Sequence, residues 1–278
     1  MKQGNDPLGD RQKLFESHTA QKLIPRLPVL ARCDGRAFSS FTRGLKRPFD
    51  ERLSQLMIAT TKYLVEETSA LLGYTQSDEI SLLWYSEDPR SQMLFDGKVL
   101  KLTSILAAMT TAYFNYSLGK FVPERAYTEG VQRLPLFDCR VWNVPTKEEA
   151  ANYYQWREQD AVRNSIQMAA QSVYSHKELQ DKNSKQLQDS LFQKGINWND
   201  FPEFFRRGTY VSRVEVERAF TKEEIDQLPP QHEARKNENL SFKRHETRIL
   251  SLPTASKIGN LVDVLFTGAV PVLKVQYR

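Results

Sequence analysis

Between Leu27 and Val144 the periodicity of the apolar residues switches repeatedly, and the order of those switches restricts the fold more than any other feature of the chain. Leu27 to Cys33 is a short apolar run ended by the turn signal Asp34-Gly35, which predicts a strand and a turn. From Asp50 to Leu72, residues Leu53, Leu56, Met57, Thr60, Leu64, Leu71 and Leu72 follow three- and four-residue steps, the mark of an amphipathic helix that Asp50 can cap. Gly73 to Gln76 and Ile80 to Tyr85 read as two strands joined at the polar tip Ser77-Asp78-Glu79. A second helix is expected over Lys98 to Tyr116, from the spacing of Leu102, Ile105, Leu106, Met109, Tyr113 and Tyr116, and a fourth strand over Phe137 to Val144.

The resulting order, β-α-β-β-α-β, predicts an α+β fold of the ferredoxin-like, split βαβ kind. In that topology the first and third strands are antiparallel neighbours. The end of the first strand therefore lies beside the start of the third, and Asp34 and Asp78 are expected to meet at one edge of the sheet.

Beyond Pro145, Thr146-x-x-Glu149 is a capping box that opens a helix running toward Tyr174, and a further helix is expected from about Ser184 to Gly195. Gly208 to Glu217 alternates like a strand, and Thr221-x-x-Glu224 starts a short helix stopped by Pro229-Pro230. The polar run 229–248 reads as a mobile surface loop able to touch RNA. These readings divide the chain into a β-α-β-β-α-β region with an N-terminal extension, 1–144, and a helical and mixed C-terminal region, 145–278.

Composition excludes several function classes. In 278 residues no apolar run approaches the about 20 residues that a spanning helix needs, and no secretory apolar core follows the N-terminus, so a cytoplasmic protein is expected. Cys33 and Cys139 are too few for a disulfide framework, and with four scattered histidines they give no zinc spacing. The formal charge of +5 favours a polyanionic partner.

Two carboxylates from different strands, flanked by Arg32, Arg36 and Arg47, suit a hard cation such as Mg²⁺ together with phosphate. Taken singly, Asp34-Gly35 and Ser77-Asp78-Glu79 are also ordinary turns. Lys98 and Lys101 share a face at the start of the second helix and could reach a triphosphate. Tyr153, Tyr154 and Trp156 could stack on bases, although aromatics at helical spacing also build cores.

Arg32-Cys33-Asp34-Gly35-Arg36-Ala37-Phe38, followed by Tyr74-Thr75-Gln76-Ser77-Asp78-Glu79-Ile80-Ser81, resembles the tRNA(His) guanylyltransferase family. Gly9-Asp10-Arg11-Gln12-Lys13, Arg47-Pro48-Phe49-Asp50, Gly195-Ile196-Asn197-Trp198-Asn199 and Arg206-Arg207-Gly208 agree with it, so that the likeness covers roughly residues 8 to 215. The resemblance implies a polymerase-like palm that extends RNA in the 3′-to-5′ direction. A 5′-monophosphorylated tRNA would be activated with ATP and then attacked by the 3′-hydroxyl of an incoming nucleotide such as GTP. It also implies that Asp34 and Asp78 hold two Mg²⁺ ions with help from the Gly35 carbonyl, that Glu79 supports them, and that Arg32, Arg36, Arg47, Ser77, Lys98 and Lys101 hold triphosphate. Arg163, Asn164, Arg206 and Arg207 are the implied RNA contacts, and a homotetramer the implied assembly. Where the tRNA(His)-specific eukaryotic members carry His-Ile-Asn-Asn-Leu-Tyr, this chain has Val162-Arg163-Asn164-Ser165-Ile166-Gln167. That form is similar to the bacterial, archaeal and phage branch, which implies template-directed repair of tRNA 5′ ends. The alternatives are strict addition of G to tRNA(His), a non-catalytic RNA-binding palm, and a nucleotide cyclase.

Overall fold

The computed structural model describes residues 6–126, 134–237 and 240–275. Its strands are β1 (Val29–Arg36), β2 (Leu72–Gln76), β3 (Glu79–Trp84), β4 (Leu136–Asn143), β5 (Thr209–Ala219) and β6 (Ser241–Leu250). The helices of the first half are α1 (Pro7–Ser17), α2 (Phe38–Phe41), α3 (Glu51–Thr68) and α4 (Val99–Phe121). In the second half are α5 (Lys147–Gln171), α6 (His176–Leu179), α7 (Ser184–Gln193), α8 (Glu203–Arg207), α9 (Lys222–Gln227) and α10 (Leu261–Thr267). Among the described residues no helix is long and apolar enough to cross a membrane.

All six strands join one sheet in the order β4-β1-β3-β2-β5-β6, each neighbour antiparallel to the next. All six elements of the β-α-β-β-α-β order follow the sequence reading, as β1, α3, β2, β3, α4 and β4, with β1 and β3 side by side. Because strand side chains alternate between faces, Ala31, Cys33, Ile80 and Leu82 pack on Leu56, Leu64, Leu106 and Phe114 of α3 and α4. Their neighbours Leu30, Leu72, Tyr74 and Leu83 face the other way, onto Ala150 and Tyr154 of α5 and Leu261, Val264 and Leu265 of α10.

The caps explain where the helices begin and end. Asp50 accepts from the Arg52 N–H and starts α3, whose end at Thr68 falls short of Leu72 because Ser69 turns into the left-handed region at φ 54°. Thr146 Oγ accepts from the Glu149 N–H at 3.2 Å and starts α5. The box at α9 is reciprocal: the Thr221 N–H donates to Glu224 at 2.9 Å, and the Glu224 N–H to Thr221 at 3.3 Å.

The run 229–248, expected as a surface loop, instead holds a single turn at Glu233–Arg235 and most of β6. Its polarity conceals a strand because β6 is the sheet's outer edge and pairs with β5 over Ser241 to Leu250, most of it exposed. On such a strand cross-strand polar contacts replace apolar alternation: Lys243 with Glu215 at 2.7 Å, and Ser241 with Glu217. β5 and β6 also extend the same sheet as β1–β4, so the chain beyond Val144 is built onto the palm sheet.

β2 lies close against α3 at Gly73, where a Cβ would sit 2.7 Å from both Thr61 Cγ2 and Val65 Cγ2. Gly73→Ala should therefore cost about 1–3 kcal/mol through overpacking. Urea unfolding measures this as a lowered midpoint with little change in slope.

Candidate active site

The β1–β3 register sets the site. Asp34 stands opposite Glu79, and one residue further the Gly35 N–H donates to the Asp78 carbonyl at 3.1 Å. Cys33 and Ile80 on the same strands are core residues under α4, so Asp34 and Glu79 share the opposite face. The β2–β3 turn is tight, with Ser77 in the left-handed region at φ 55° and its hydroxyl donating to Asp78 Oδ1 at 3.0 Å. Thr75 Oγ1 donates to the Glu79 carbonyl at 2.9 Å and braces the turn. Asp34, Gly35, Ser77, Asp78 and Glu79 thus come together as the sequence expects.

Two residues here escape sequence reasoning. Asp138 on β4 is in register with Asp34 on its other side and is exposed. The alternation of buried Phe137 and Cys139 about it was the available signal. Arg157 of α5 makes an ion pair with Glu79 and a second, at 3.2 Å, with Asp160, while only 4 % of its side chain is exposed. An arginine in a polar stretch of helix gave no sign of that burial.

The electrostatics are those of carboxylates brought near one another at a half-buried edge. Burial pushes the Asp78 carboxyl above its usual range, and the charge of Asp34 pushes it the same way. Burial also raises Glu79, against the pull of Arg157 and Arg32. Arg32 Nε is buried with no hydrogen-bond partner within the protein, which is uncommon for a buried donor. A divalent cation fits this donor set. Among the described residues no group of three or more acidic, histidine or cysteine ligands gathers. Mg²⁺ is ordinarily held by one or two carboxylates, its other positions going to water and substrate phosphate, which is what Asp34 and Asp78 offer.

Beside the turn opens a cleft of about 590 Å³, lined by Gly35, Ala37, Arg47, Gln76, Ser77 and Asp78 together with Gln171 of α5 and Phe204 next to α8's Phe205. At Gly35 a Cβ would lie 2.3 Å from the Phe38 ring, so glycine lets the chain turn under the cleft. Arg47 is exposed at the cleft rim, and Arg36 is exposed at the end of β1.

The other expected residues are scattered. Lys98 and Lys101 lie at the far end of the sheet, where Leu102 of the same turn packs on Leu23 and Val29 at the start of β1, and Lys101 rests 5.2 Å from the centre of the Phe95 ring. Arg163 pairs with Asp160 at 2.9 Å and Asn164 donates to it at 3.3 Å. Arg206 Nε donates to the Phe201 carbonyl at 2.7 Å, with its guanidinium over Trp198. Arg207, expected at the RNA, is instead largely buried: its guanidinium contacts Glu158, Glu203 and the Leu252 carbonyl, and 14 % of its side chain is exposed. Of the aromatic trio, Tyr154 is core, Tyr153 shares a hydrogen bond with Ser81 at 2.8 Å, and Trp156 remains 45 % exposed.

Comparisons with known proteins place the fold in one family. Residues 9–145 match the family model described as tRNAHis guanylyltransferase. A bacterial tRNA(His) guanylyltransferase-like protein solved in complex with ATP is 39 % identical, superposes with a TM-score of 0.69, and covers 74 % of this chain and 87 % of its own. A second, solved in complex with GTP, is 32 % identical with a TM-score of 0.69 and covers 91 % of this chain and 95 % of its own. The tRNA(His) guanylyltransferase of Saccharomyces cerevisiae is 29 % identical over 214 residues, 72 % of this chain and 87 % of that protein.

The two arginines of this region should separate in a stability measurement. Arg207→Ala leaves Glu158, itself 2 % exposed, without its charged partner and should lower unfolding free energy by about 3 kcal/mol. Arg163→Ala, on an exposed side chain, should change it by less than about 0.5 kcal/mol.

Proposed function

The chain belongs to the tRNA(His) guanylyltransferase family and is a nucleotidyltransferase, and from that premise we propose that it adds nucleotides to the 5′ end of tRNA, in the 3′-to-5′ direction, as a template-directed repair enzyme. The observation that carries the proposal is the meeting of Asp34 and Asp78 at one sheet edge beside a cleft of nucleotide size.

In this reading Asp34, Asp78 and the Gly35 carbonyl would hold two Mg²⁺ ions, which would lower the pKa of an attacking hydroxyl and stabilise the departing oxygen. The protein's own groups do the rest. Ser77 orients the Asp78 carboxylate through its hydroxyl. Arg32, with its unpartnered buried Nε beside Glu79, offers a donor to phosphate oxygens, and Arg47 does so from the cleft rim. Such positioned charge is what phosphoryl transfer asks of a protein. A 5′-phosphate oxygen of the RNA would attack the α-phosphorus of ATP and release pyrophosphate, and the 3′-hydroxyl of the incoming nucleotide, GTP among them, would then attack the activated 5′ phosphorus, losing its proton and releasing AMP.

The tRNA would lie across α5, whose Arg163 and Asn164 are exposed, with Arg206 at its border. Lys98 and Lys101, at the other end of the strands, could meet only a part of a substrate that runs along the sheet. Val162-Arg163-Asn164-Ser165 in place of the eukaryotic block favours repair over strict tRNA(His) addition. A homotetramer in the cytoplasm completes the proposal, and exposed Leu8, Leu14 and Phe15 on α1, a helix without a buried residue, support association.

The test is extension of 5′-monophosphorylated tRNAs of several identities, each lacking its first nucleotide, with Mg²⁺, ATP and the four nucleotides. Addition should follow the opposing base on each tRNA, whereas addition of G to tRNA(His) alone would support the specific enzyme. Asp78→Ala should lose addition by at least about a thousandfold while tRNA affinity changes less than about threefold, since the lost charge serves the metal rather than the RNA. Raised salt should weaken tRNA binding with a log–log slope of several units, from counterion release.

A further inference from the structure

The catalytic edge is joined to the exposed face of α5 by an unbroken chain of polar contacts. Tyr153, Arg157, Asp160 and Asn164 recur at three- and four-residue steps and so form one stripe along the helix. Glu79 is ion-paired with Arg157, whose guanidinium lies against the Trp156 ring, 4.7 Å from its centre. Arg157 Nη1 reaches Asp160 Oδ2 at 3.2 Å. Asp160 in turn accepts from Arg163 on Oδ1 at 2.9 Å and from Asn164 on Oδ2 at 3.3 Å. Side-chain exposure rises along the chain, from 4 % at Arg157 through 27 % at Asp160 to 53 % at Arg163. Tyr153, sharing its hydroxyl with Ser81 on β3, fixes the same helix to the same strand one turn earlier.

We propose that Asp160 and Arg157 are positioning residues that couple RNA on α5 to nucleotide binding at the catalytic edge. The inference rests on the reading that RNA phosphate meets Arg163. Asp160 holds all three donors at once, Arg163 on Oδ1 and Arg157 and Asn164 on Oδ2, so its single negative charge is shared between the two guanidiniums. When phosphate takes Arg163, Asp160 loses that partner and draws more strongly on Arg157. The hold of Arg157 on Glu79 then slackens, leaving more of the Glu79 charge for the Mg²⁺-nucleotide edge. RNA binding therefore tightens nucleotide binding, and by linkage the nucleotide tightens RNA by the same factor. An incoming nucleotide would then be held firmly only when there is an RNA end to receive it.

The experiment measures the Kd of a non-hydrolysable GTP analogue with Mg²⁺, in the presence and absence of a saturating 5′-monophosphorylated tRNA lacking its first nucleotide. In the wild type RNA should lower that Kd by at least about fivefold, the low end of ordinary coupling. In Asp160→Asn and in Arg163→Ala the ratio should fall to within about twofold of one, whatever each separate affinity does. Arg163 is exposed, so that variant folds even if Asp160→Asn does not. Arg163→Lys, which keeps a cation for both phosphate and Asp160, should recover a good part of the ratio, which a merely structural role would not require. A wild-type ratio of one, a loosening by RNA, or a ratio that survives Arg163→Ala overturns the coupling. If the wild type binds the nucleotide analogue but no RNA, the functional reading beneath it falls as well, and the two failures are distinct.

Discussion

The antiparallel pairing of β1 with β3 is the constraint on which everything else depends. Its register places Asp34 opposite Glu79 and lets the Gly35 N–H close onto the Asp78 carbonyl. A slip of one residue would turn every side chain of β1 to the other face, putting Asp34 into the apolar layer under α4 and Cys33 on the face that now carries the carboxylates. The register is secured by that same alternation: Ala31 and Cys33 are wholly buried on one side and Leu30 on the other, so hydrophobic burial fixes the strands that carry the carboxylates.

Holding several carboxylates at one edge opposes folding, and the molecule offsets this with an arginine from outside the palm, Arg157, while a second arginine neutralises the adjoining Glu158. Arg157, from α5, is nearly buried against Glu79, and Arg207 lies against Glu158, which also accepts from Tyr210 at 3.1 Å and from the Ala255 N–H at 3.1 Å. Neighbouring residues on one helix thus face in two directions, one toward the catalytic edge and one into the contacts that bind α5 to β5 and the segment before α10. The C-terminal half completes the electrostatics of the palm as well as covering its sheet.

The palm was legible because its strands and helices each have one buried face, and periodicity reports that directly. Topology alone then brought Asp34 and Asp78 together. What escaped did so for physical reasons. β6 is an exposed edge strand whose partners are charges, so no alternation marks it. Arg157 and Arg207 are buried by tertiary packing, and in sequence they are indistinguishable from the exposed Arg163. Lys98 and Lys101 share a helix face, as their spacing implies, yet spacing says nothing about which end of the sheet that turn occupies. The Ser77-Asp78-Glu79 tip was ambiguous by itself and became specific only beside Arg32-Cys33-Asp34-Gly35.

The proposed metal-nucleotide site depends on two aspartates, Asp34 at the end of β1 and Asp78 in the β2–β3 turn. Electron paramagnetic resonance of Mn²⁺, titrated into the protein with a non-hydrolysable GTP analogue, counts the ions directly. The account predicts two ions per chain in the wild type, close enough to couple, and loss of at least one in both Asp34→Ala and Asp78→Ala. Two coupled ions held with wild-type affinity in either variant would contradict it.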